Sequence, residues 1–284
     1  MGGLLFSVTT AALMVLMAKC GRALMEPVAG AGDGAGAGDG AGARTSGLDA
    51  LRGRPFPWAA AVLGGLAVAG VLLQLSWSGA MEALDADPSE SGWWRVFTSV
   101  FMQNGGVGGA LWNIATLAVV AALAHWYWGG GLTLLFFLSG ILLPERIDDL
   151  LGIGGGTSTD PRNFAGSSGA TYFLGATLAA ALLMRTFTSS KGDVKGEGGA
   201  AAGGAVTGNS VADRLLAAAV PALGLAMWFT QENGHGLVAA YGFALGAGVW
   251  AVWRRRGESV TRAGAGPEAG PGTAERRPRT TSGC

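Results

Sequence analysis

Apolar runs long enough to cross a membrane recur along this chain of 284 residues. The hydrocarbon core of a bilayer, about 30 Å thick, is crossed by a helix of about 20 predominantly apolar residues. Six candidate spans occupy residues 57–76, 107–127, 129–143, 164–184, 214–231 and 235–253. A soluble core can bury one such helix but hardly six. The sequence therefore predicts an all-α, polytopic membrane protein built on a six-helix transmembrane bundle.

The composition supports this class and excludes others. Charged residues make up 13% of the chain and the mean hydropathy is +0.38, whereas globular domains carry about 25% charged residues. The formal net charge is zero, which argues against a nucleic-acid partner and leaves the lipid bilayer as the expected surroundings. Cys20 and Cys284 lie near opposite ends, and no CxxC or Cys/His cluster occurs. We therefore predict no metal and no cofactor.

The first 25 residues allow two interpretations. Residues 2–18 are apolar, but Lys19 and Arg22 follow this run and no basic residue precedes it. A secretory signal begins with its positive charges, so residues 1–25 are interpreted either as an extra transmembrane helix or as a leader. Residues 26–56 are a flexible Gly/Ala-rich linker by composition, and 186–210 a loose internal loop. The membrane domain then covers 57–253, and 254–284 form a disordered cytoplasmic tail.

The distribution of basic residues predicts the orientation. Arg52 and Arg54 precede the first of the six spans, further Lys and Arg residues lie between 185 and 214, and 254–256 are three arginines. If every span crosses, these groups fall on one side, and mostly acidic segments around 82–90 and 145–160 fall on the other. The positive-inside rule places both ends of the six-helix unit in the cytoplasm.

The same alternation brings three polar residues into one layer near the outer surface. Ser168 lies about four residues, or ~6 Å, into its span, and His235 opens the last span. Asn113 enters from the same side, roughly 9 Å deep. Polar groups at such depths are costly and are treated as functional candidates. A hydroxyl beside an imidazole suggests a nucleophile and its base, and the Asn113 amide and the Ser168 N–H can hold an oxyanion.

Each of these residues also has a structural interpretation. Ser168 can be a small residue at a helix crossing, where Gly, Ala and Ser are favoured. His235 can be an interfacial polar residue that starts a helix, and Asn113 can make an interhelical hydrogen bond. The sequence leaves these alternatives open.

Several motifs together make the chain resemble the rhomboid family of intramembrane serine proteases. Its Gly-x-Ser-Gly motif is matched by residues 166–169, and its aromatic residue one turn after the serine is matched by Tyr172. Its glycine seven residues after the histidine is matched by Gly242. Its first outer loop contains Trp-Arg followed by an aromatic residue and Thr, as in residues 94–98, and its oxyanion-site Asn is matched by Asn113. The resemblance covers about 57–253.

The resemblance implies a serine endopeptidase that cleaves transmembrane segments of membrane protein substrates. It assigns Ser168 as the nucleophile and His235 as the base of a Ser–His dyad without an acidic third member. Asn113 then supports the oxyanion, Tyr172 stacks on and orients His235, and Gly166 allows close backbone approach. The Ala/Gly-rich composition fits a bacterial plasma membrane.

Departures from the family pattern support an alternative. Gly109 stands where a histidine is frequent, His125 where a Glu is usual, and Val238 where a glycine would let two helices pack. Gln103 and Ser99 also occupy places where histidines are common. These departures bear on rate and substrate preference more than on the reaction class, and they motivate the alternative of a catalytically inactive rhomboid-like protein that binds transmembrane clients. A transporter is a weaker alternative, because the spans contain few charges and no clear pair of broken helices.

Overall fold

A computed structural model describes residues 2–26, 53–86, 92–152, 165–192 and 207–264, and all regular secondary structure in these ranges is helical. The long helices are α1 (Gly2–Met25), α2 (Trp58–Ser76), α5 (Gly106–Trp128), α6 (Gly130–Leu151), α7 (Ser168–Gly192), α8 (Thr207–Gln231) and α9 (Gly234–Gly264). Two short helices, α3 (Ala80–Leu84) and α4 (Arg95–Thr98), and a 3₁₀ turn at Ser99–Phe101 lie between α2 and α5.

The seven long helices of the described ranges are each long and apolar enough to cross a bilayer. Large apolar side chains such as Leu66, Leu72 and Leu111 are exposed on their outer faces. A helix satisfies its own backbone hydrogen bonds, so such faces can be in contact with lipid. The chain is therefore an all-α, multi-pass integral membrane protein.

Helix α7 lies at the centre of the bundle. In its most apolar 18-residue window 78% of the residues are buried, against 22–28% for the other six long helices. Its sequence explains this position, because Ala176, Ala179, Ala180 and Ala181 are fully buried and small side chains let neighbouring backbones approach closely. Helices α1, α5, α6, α8 and α9 all pack against it.

Two glycines bring α9 directly against α7. A Cβ on Gly242 would overlap the backbone of Phe173, and one on Gly246 would lie 2.7 Å from the Cα atom of Thr177. Val238 is half-buried and does not prevent this contact, so our expectation that it could separate these two helices is wrong. The close packing brings the N-terminal ends of α7 and α9 together.

The N-terminal segment is a helix of the bundle. Helix α1 packs against α5, α7 and α8, and its side chains Leu13 and Met17 are fully buried. Gly175 of α7 makes room for this contact, since a Cβ there would lie 2.7 Å from the Met17 sulfur. Residues 2–25 are therefore helical and packed against the other helices of the bundle.

The two ends of the bundle differ in charge. Arg54 donates to the Met25 carbonyl at 2.8 Å, and Arg185 donates to the Ala23 carbonyl at 2.9 Å. These contacts place the end of α1 beside the start of α2 and the far end of α7. Arg22, Arg214 and Arg254 belong to the same end by helix direction, which we call the basic end. The opposite end contains the first turns of α1, α5, α7 and α9.

Several predicted boundaries differ from the structure. The third span, predicted at 129–143, continues through Pro144 to Leu151, so it is long enough to cross. The last helix runs beyond residue 253 to Gly264, because its helical hydrogen bonds propagate past the apolar segment. Helices also extend into the predicted 186–210 loop, leaving only 193–206 outside the described residues. Most of the predicted 26–56 linker and the tail beyond 264 also lie outside them.

Candidate active site

The candidate nucleophile begins the central helix. Ser168 is the first residue of α7, and the Thr171 N–H donates to the Ser167 carbonyl at 2.9 Å, closing the first helical turn. Gly166 has a φ of +124°, which side-chain-bearing residues rarely adopt. Its N–H donates to the Ser99 carbonyl at 2.9 Å, which fastens this turn to the segment after α4. The turn therefore presents Ser168 at the end opposite the basic end.

The Ser168 hydroxyl and the His235 imidazole are in direct contact. The distance between Ser168 Oγ and His235 Nε2 is 2.9 Å, and both residues are half-buried. Ser168 starts α7 and His235 is the second residue of α9, so the close packing of these helices produces the contact. A general base must lie about 2.6–3.2 Å from the proton donor it serves. This pair meets that requirement.

Asn233 contacts the other side of the imidazole. Its Oδ1 lies 3.1 Å from His235 Nδ1 and accepts the His235 backbone N–H at 3.1 Å. Its Nδ2 donates to Thr10 Oγ1 at 3.2 Å. The resemblance implies a dyad without an acidic third member, and Asn233 is not among the site residues predicted from the sequence. An Asn just before a helix start is a common capping residue, and its position two residues before the histidine was the available signal.

Tyr172 contacts His235 through an edge rather than by stacking. The two ring centroids are 4.9 Å apart with an angle of 69° between the planes. The Tyr172 hydroxyl donates to the Thr10 carbonyl at 2.6 Å, which fixes the ring towards α1. The expectation of a stacked pair is therefore wrong in geometry, although the two rings are neighbours. Phe6 of α1 also presents an edge contact to His235, at 6.2 Å between centroids.

A small space over Gly166 is bounded by two polar groups. A Cβ on Gly166 would lie 3.6 Å from Asn113 Nδ2 and 3.9 Å from Ser168 Oγ. The adjacent first turn of α7 has backbone N–H groups that precede the helical hydrogen-bond pattern. Amide donors and a helix N-terminus stabilise negative charge. The space can therefore hold an oxygen that becomes negative when Ser168 attacks a carbonyl carbon.

Gln103 holds the Asn113 amide in place. Asn113 Nδ2 donates to Gln103 Oε1 at 2.9 Å. The Gln103 backbone is itself fixed by Gln74, whose side chain accepts its N–H at 2.9 Å and donates to its carbonyl at 3.0 Å. Gln103 Nε2 is buried and has no hydrogen-bond partner among the described residues. This amide is available to a further acceptor near the site.

Steric crowding explains why residue 109 is a glycine. A Cβ at this position would lie 2.9 Å from the Asn104 carbonyl oxygen, so a histidine would require the backbone to move. The position where the family pattern often has a histidine is therefore closed to one in this fold, and Gln103 and Asn113 are polar side chains close to the candidate site.

His125 lies away from these residues. It is near the C-terminal end of α5, is buried, and makes an edge contact with Trp58 at 5.6 Å between centroids. The neighbouring Trp126 donates to the Pro55 carbonyl at 2.8 Å. His125 therefore packs at the basic end, away from Ser168 and His235. Across the described ranges no three His, Cys, Asp or Glu residues are grouped as a metal site would need.

Comparisons of the chain with protein-family models, with curated proteins and with solved structures found no match.

Proposed function

We propose that this protein is an intramembrane serine endopeptidase of the rhomboid type, which cleaves transmembrane segments of membrane protein substrates. The observation that carries the proposal is the 2.9 Å contact between Ser168 Oγ and His235 Nε2. The contact lies at one end of a bundle of membrane-length helices. Such a hydroxyl–imidazole pair is the arrangement of an activated serine nucleophile.

The proposed reaction proceeds in two halves. Ser168 Oγ attacks the scissile carbonyl carbon while His235 Nε2 takes the hydroxyl proton, and the imidazolium then protonates the leaving amine as the C–N bond breaks. In the second half, water gives a proton to the same imidazole as it attacks the acyl ester. The imidazolium then returns that proton to Ser168 Oγ as the acyl C–O bond breaks, which releases the new carboxyl end and restores the Ser168 hydroxyl. In both halves the oxygen that becomes negative occupies the space over Gly166, held by Asn113 Nδ2 and the Ser168 N–H.

The orientation of the bundle is part of the proposal. The positive-inside rule places the basic end in the cytoplasm, and the Ser168–His235 pair then lies near the outer surface of a bacterial plasma membrane. A site near the surface can receive the water that hydrolysis consumes. Substrate segments are expected to be cut close to their outer ends.

Co-expression with a single-span reporter tests the proposal. The parent protein is expected to cleave the reporter, and Ser168→Ala and His235→Ala are expected to leave it intact. Ser167→Ala is the matched control, because Ser167 is the neighbouring serine and its buried Oγ has no partner among the described residues. Equal cleavage of the reporter by the parent and by Ser168→Ala would contradict the protease proposal.

Labelling with a serine-directed fluorophosphonate distinguishes the proposed protease from the alternative, an inactive protein that binds transmembrane clients. The protease is expected to be labelled at Ser168, with labelling lost in His235→Ala and retained in His125→Gln. A folded parent that resists labelling and retains a transmembrane client on affinity purification would support the inactive alternative.

A further inference from the structure

Helix α1 reaches the imidazole of the candidate active site through a chain of hydrogen bonds. We propose that Asn233, fastened by Thr10 of α1, is a positioning residue that holds His235 in the tautomer able to accept the Ser168 proton. This inference rests on the proposed function for its catalytic consequence, while the tautomer itself is a property of the folded protein.

The orientation of the Asn233 amide follows from its two neighbours. The atom facing the His235 backbone nitrogen, at 3.1 Å, must be an acceptor, because a backbone N–H can only donate. The oxygen of the amide therefore faces His235. The amide nitrogen then faces Thr10 Oγ1, which can accept its hydrogen at 3.2 Å.

The tautomer of His235 follows in turn. Asn233 Oδ1 also lies 3.1 Å from His235 Nδ1, and two facing acceptors would repel each other. Nδ1 must therefore carry the hydrogen, which leaves a lone pair on Nε2 when the ring is neutral. That lone pair faces Ser168 Oγ at 2.9 Å. The opposite tautomer would present an N–H to the serine and could not take its proton.

Thr10 is hydrogen-bonded to two residues that contact the His235 ring, Asn233 on the side away from Ser168 and Tyr172 at an edge. Its hydroxyl accepts from Asn233, and its carbonyl accepts from the Tyr172 hydroxyl at 2.6 Å. Asn233 is only 2% exposed and Tyr172 only 1%, so water cannot readily replace these contacts. The N-terminal helix is thus a component of the site and not only an additional membrane anchor.

Among the described residues, the side chains in hydrogen-bond or ring contact with the His235 imidazole are uncharged. The neighbours that contact His235 from α1, α7 and the turn before α9 are Phe6, Ser168, Tyr172 and Asn233. None of them carries a charge when Tyr172 is protonated. Orientation by a neutral amide is therefore the means by which the fold selects the tautomer.

Nitrogen NMR of the two histidines tests the tautomer independently of catalysis. The chain contains only His125 and His235, so ¹⁵N-histidine labelling of the full-length protein in micelles gives two ring signals, assigned with His125→Gln. The parent is expected to show neutral His235 with hydrogen on Nδ1. Asn233→Ala is expected to show exchange between both tautomers. A parent ring protonated on Nε2, or an unchanged ring in Asn233→Ala, overturns the proposal.

Kinetics then measure the catalytic consequence. Asn233→Ala is expected to lower kcat about ten- to a hundredfold, the usual range for losing one buried hydrogen bond, with KM within about twofold. Asn233→Asp keeps the acceptor and is expected to restore most of kcat. It should also move the acidic limb of the pH–rate profile to higher pH, because a carboxylate stabilises the imidazolium. A purely structural role would not move that limb.

Two threonines of α1 provide a matched pair. Thr10→Val removes only the hydroxyl that holds Asn233 and is expected to lower kcat roughly three- to tenfold. Thr9→Val is the control, because the Thr9 hydroxyl bonds the Leu5 carbonyl and Gln231 instead. Equal kcat values for the two variants would overturn the proposed role of the Thr10 hydroxyl in holding Asn233. If the parent cleaves nothing but shows the expected ring, the proposed function fails and the positioning inference stands.

Discussion

Gly242 of α9 lies directly against the backbone of Phe173 on α7, so close that a Cβ at residue 242 would overlap the Phe173 carbonyl. This contact sets the distance between the two helices that carry Ser168 and His235. Because both residues lie at helix starts, a change of about 1 Å in helix separation changes their separation by a similar amount.

Gly242→Val is therefore expected to break the site and weaken the fold. Its added atoms overlap the Phe173 backbone, and overpacking of this kind costs about 1–3 kcal/mol, or more where the backbone cannot move. Thermal unfolding in detergent and fluorophosphonate labelling at Ser168 are the measurements. Gly248→Val on the same helix is the control, because a Cβ there meets nothing within 4 Å. Equal melting temperatures for the two variants would contradict the packing argument.

Gly166→Ala is expected to remove activity without unfolding the protein. The residue has a φ of +124°, and its Cβ would occupy the space between Asn113 Nδ2 and Ser168 Oγ. We expect kcat to fall about 100-fold or more, the effect of losing an oxyanion donor. Gly169→Ala should lose at least tenfold less, since its Cβ position is open. Comparable losses in the two variants would show that the motif glycines act by another mechanism.

Asn113→Ala is expected to lower kcat about 10²–10³-fold with little change in KM, because an oxyanion donor acts mainly in the transition state. Gln103→Ala should lower it less, since Gln103 acts on Asn113 through a 2.9 Å hydrogen bond. The double variant is expected to resemble Asn113→Ala alone, because both changes remove one interaction. Fully additive losses would mean that Gln103 contacts substrate by itself, through its unpaired Nε2.

Cysteine labelling checks the orientation. In a Cys284→Ser background the remaining Cys20 is buried and is expected to stay silent towards a membrane-impermeant maleimide. A cysteine replacing Glu82, which is exposed near the site end, should react in intact cells. A cysteine replacing Arg254 should react only after permeabilisation. The reverse pattern would place the Ser168–His235 pair on the cytoplasmic side.

The helical architecture and the meeting of Ser168 with His235 could be predicted because both depend on local patterns. Apolar runs indicate spans, and strict alternation of crossings places the starts of two spans at the same end. The bounds of α6 could not be predicted in this way, because Pro144 and the acidic residues after it resemble a helix end. The structure shows that the helix continues to Leu151.

Contacts between helices that are distant in the chain could not be predicted from the sequence. Nothing in the periodicity of α1 indicates which helices it contacts, so the bonds from Thr10 to Asn233 and Tyr172 could not be foreseen. Asn233 itself has a sufficient local explanation as a capping residue. Only the packed bundle reveals that its amide also faces the imidazole.

The burial of α7 has a consequence for how the protein is made. Its membrane-length segment has a mean hydropathy of 1.3, against 1.4 to 2.0 for the other six, and most of its surface is covered by other helices rather than by lipid. A segment rich in Gly, Ala and Thr partitions weakly from the translocation channel into lipid by itself. We infer that its insertion during synthesis depends on helices made earlier, among them α1, α5 and α6. Ser168 thus enters the membrane on a segment whose insertion depends on the helices it packs against.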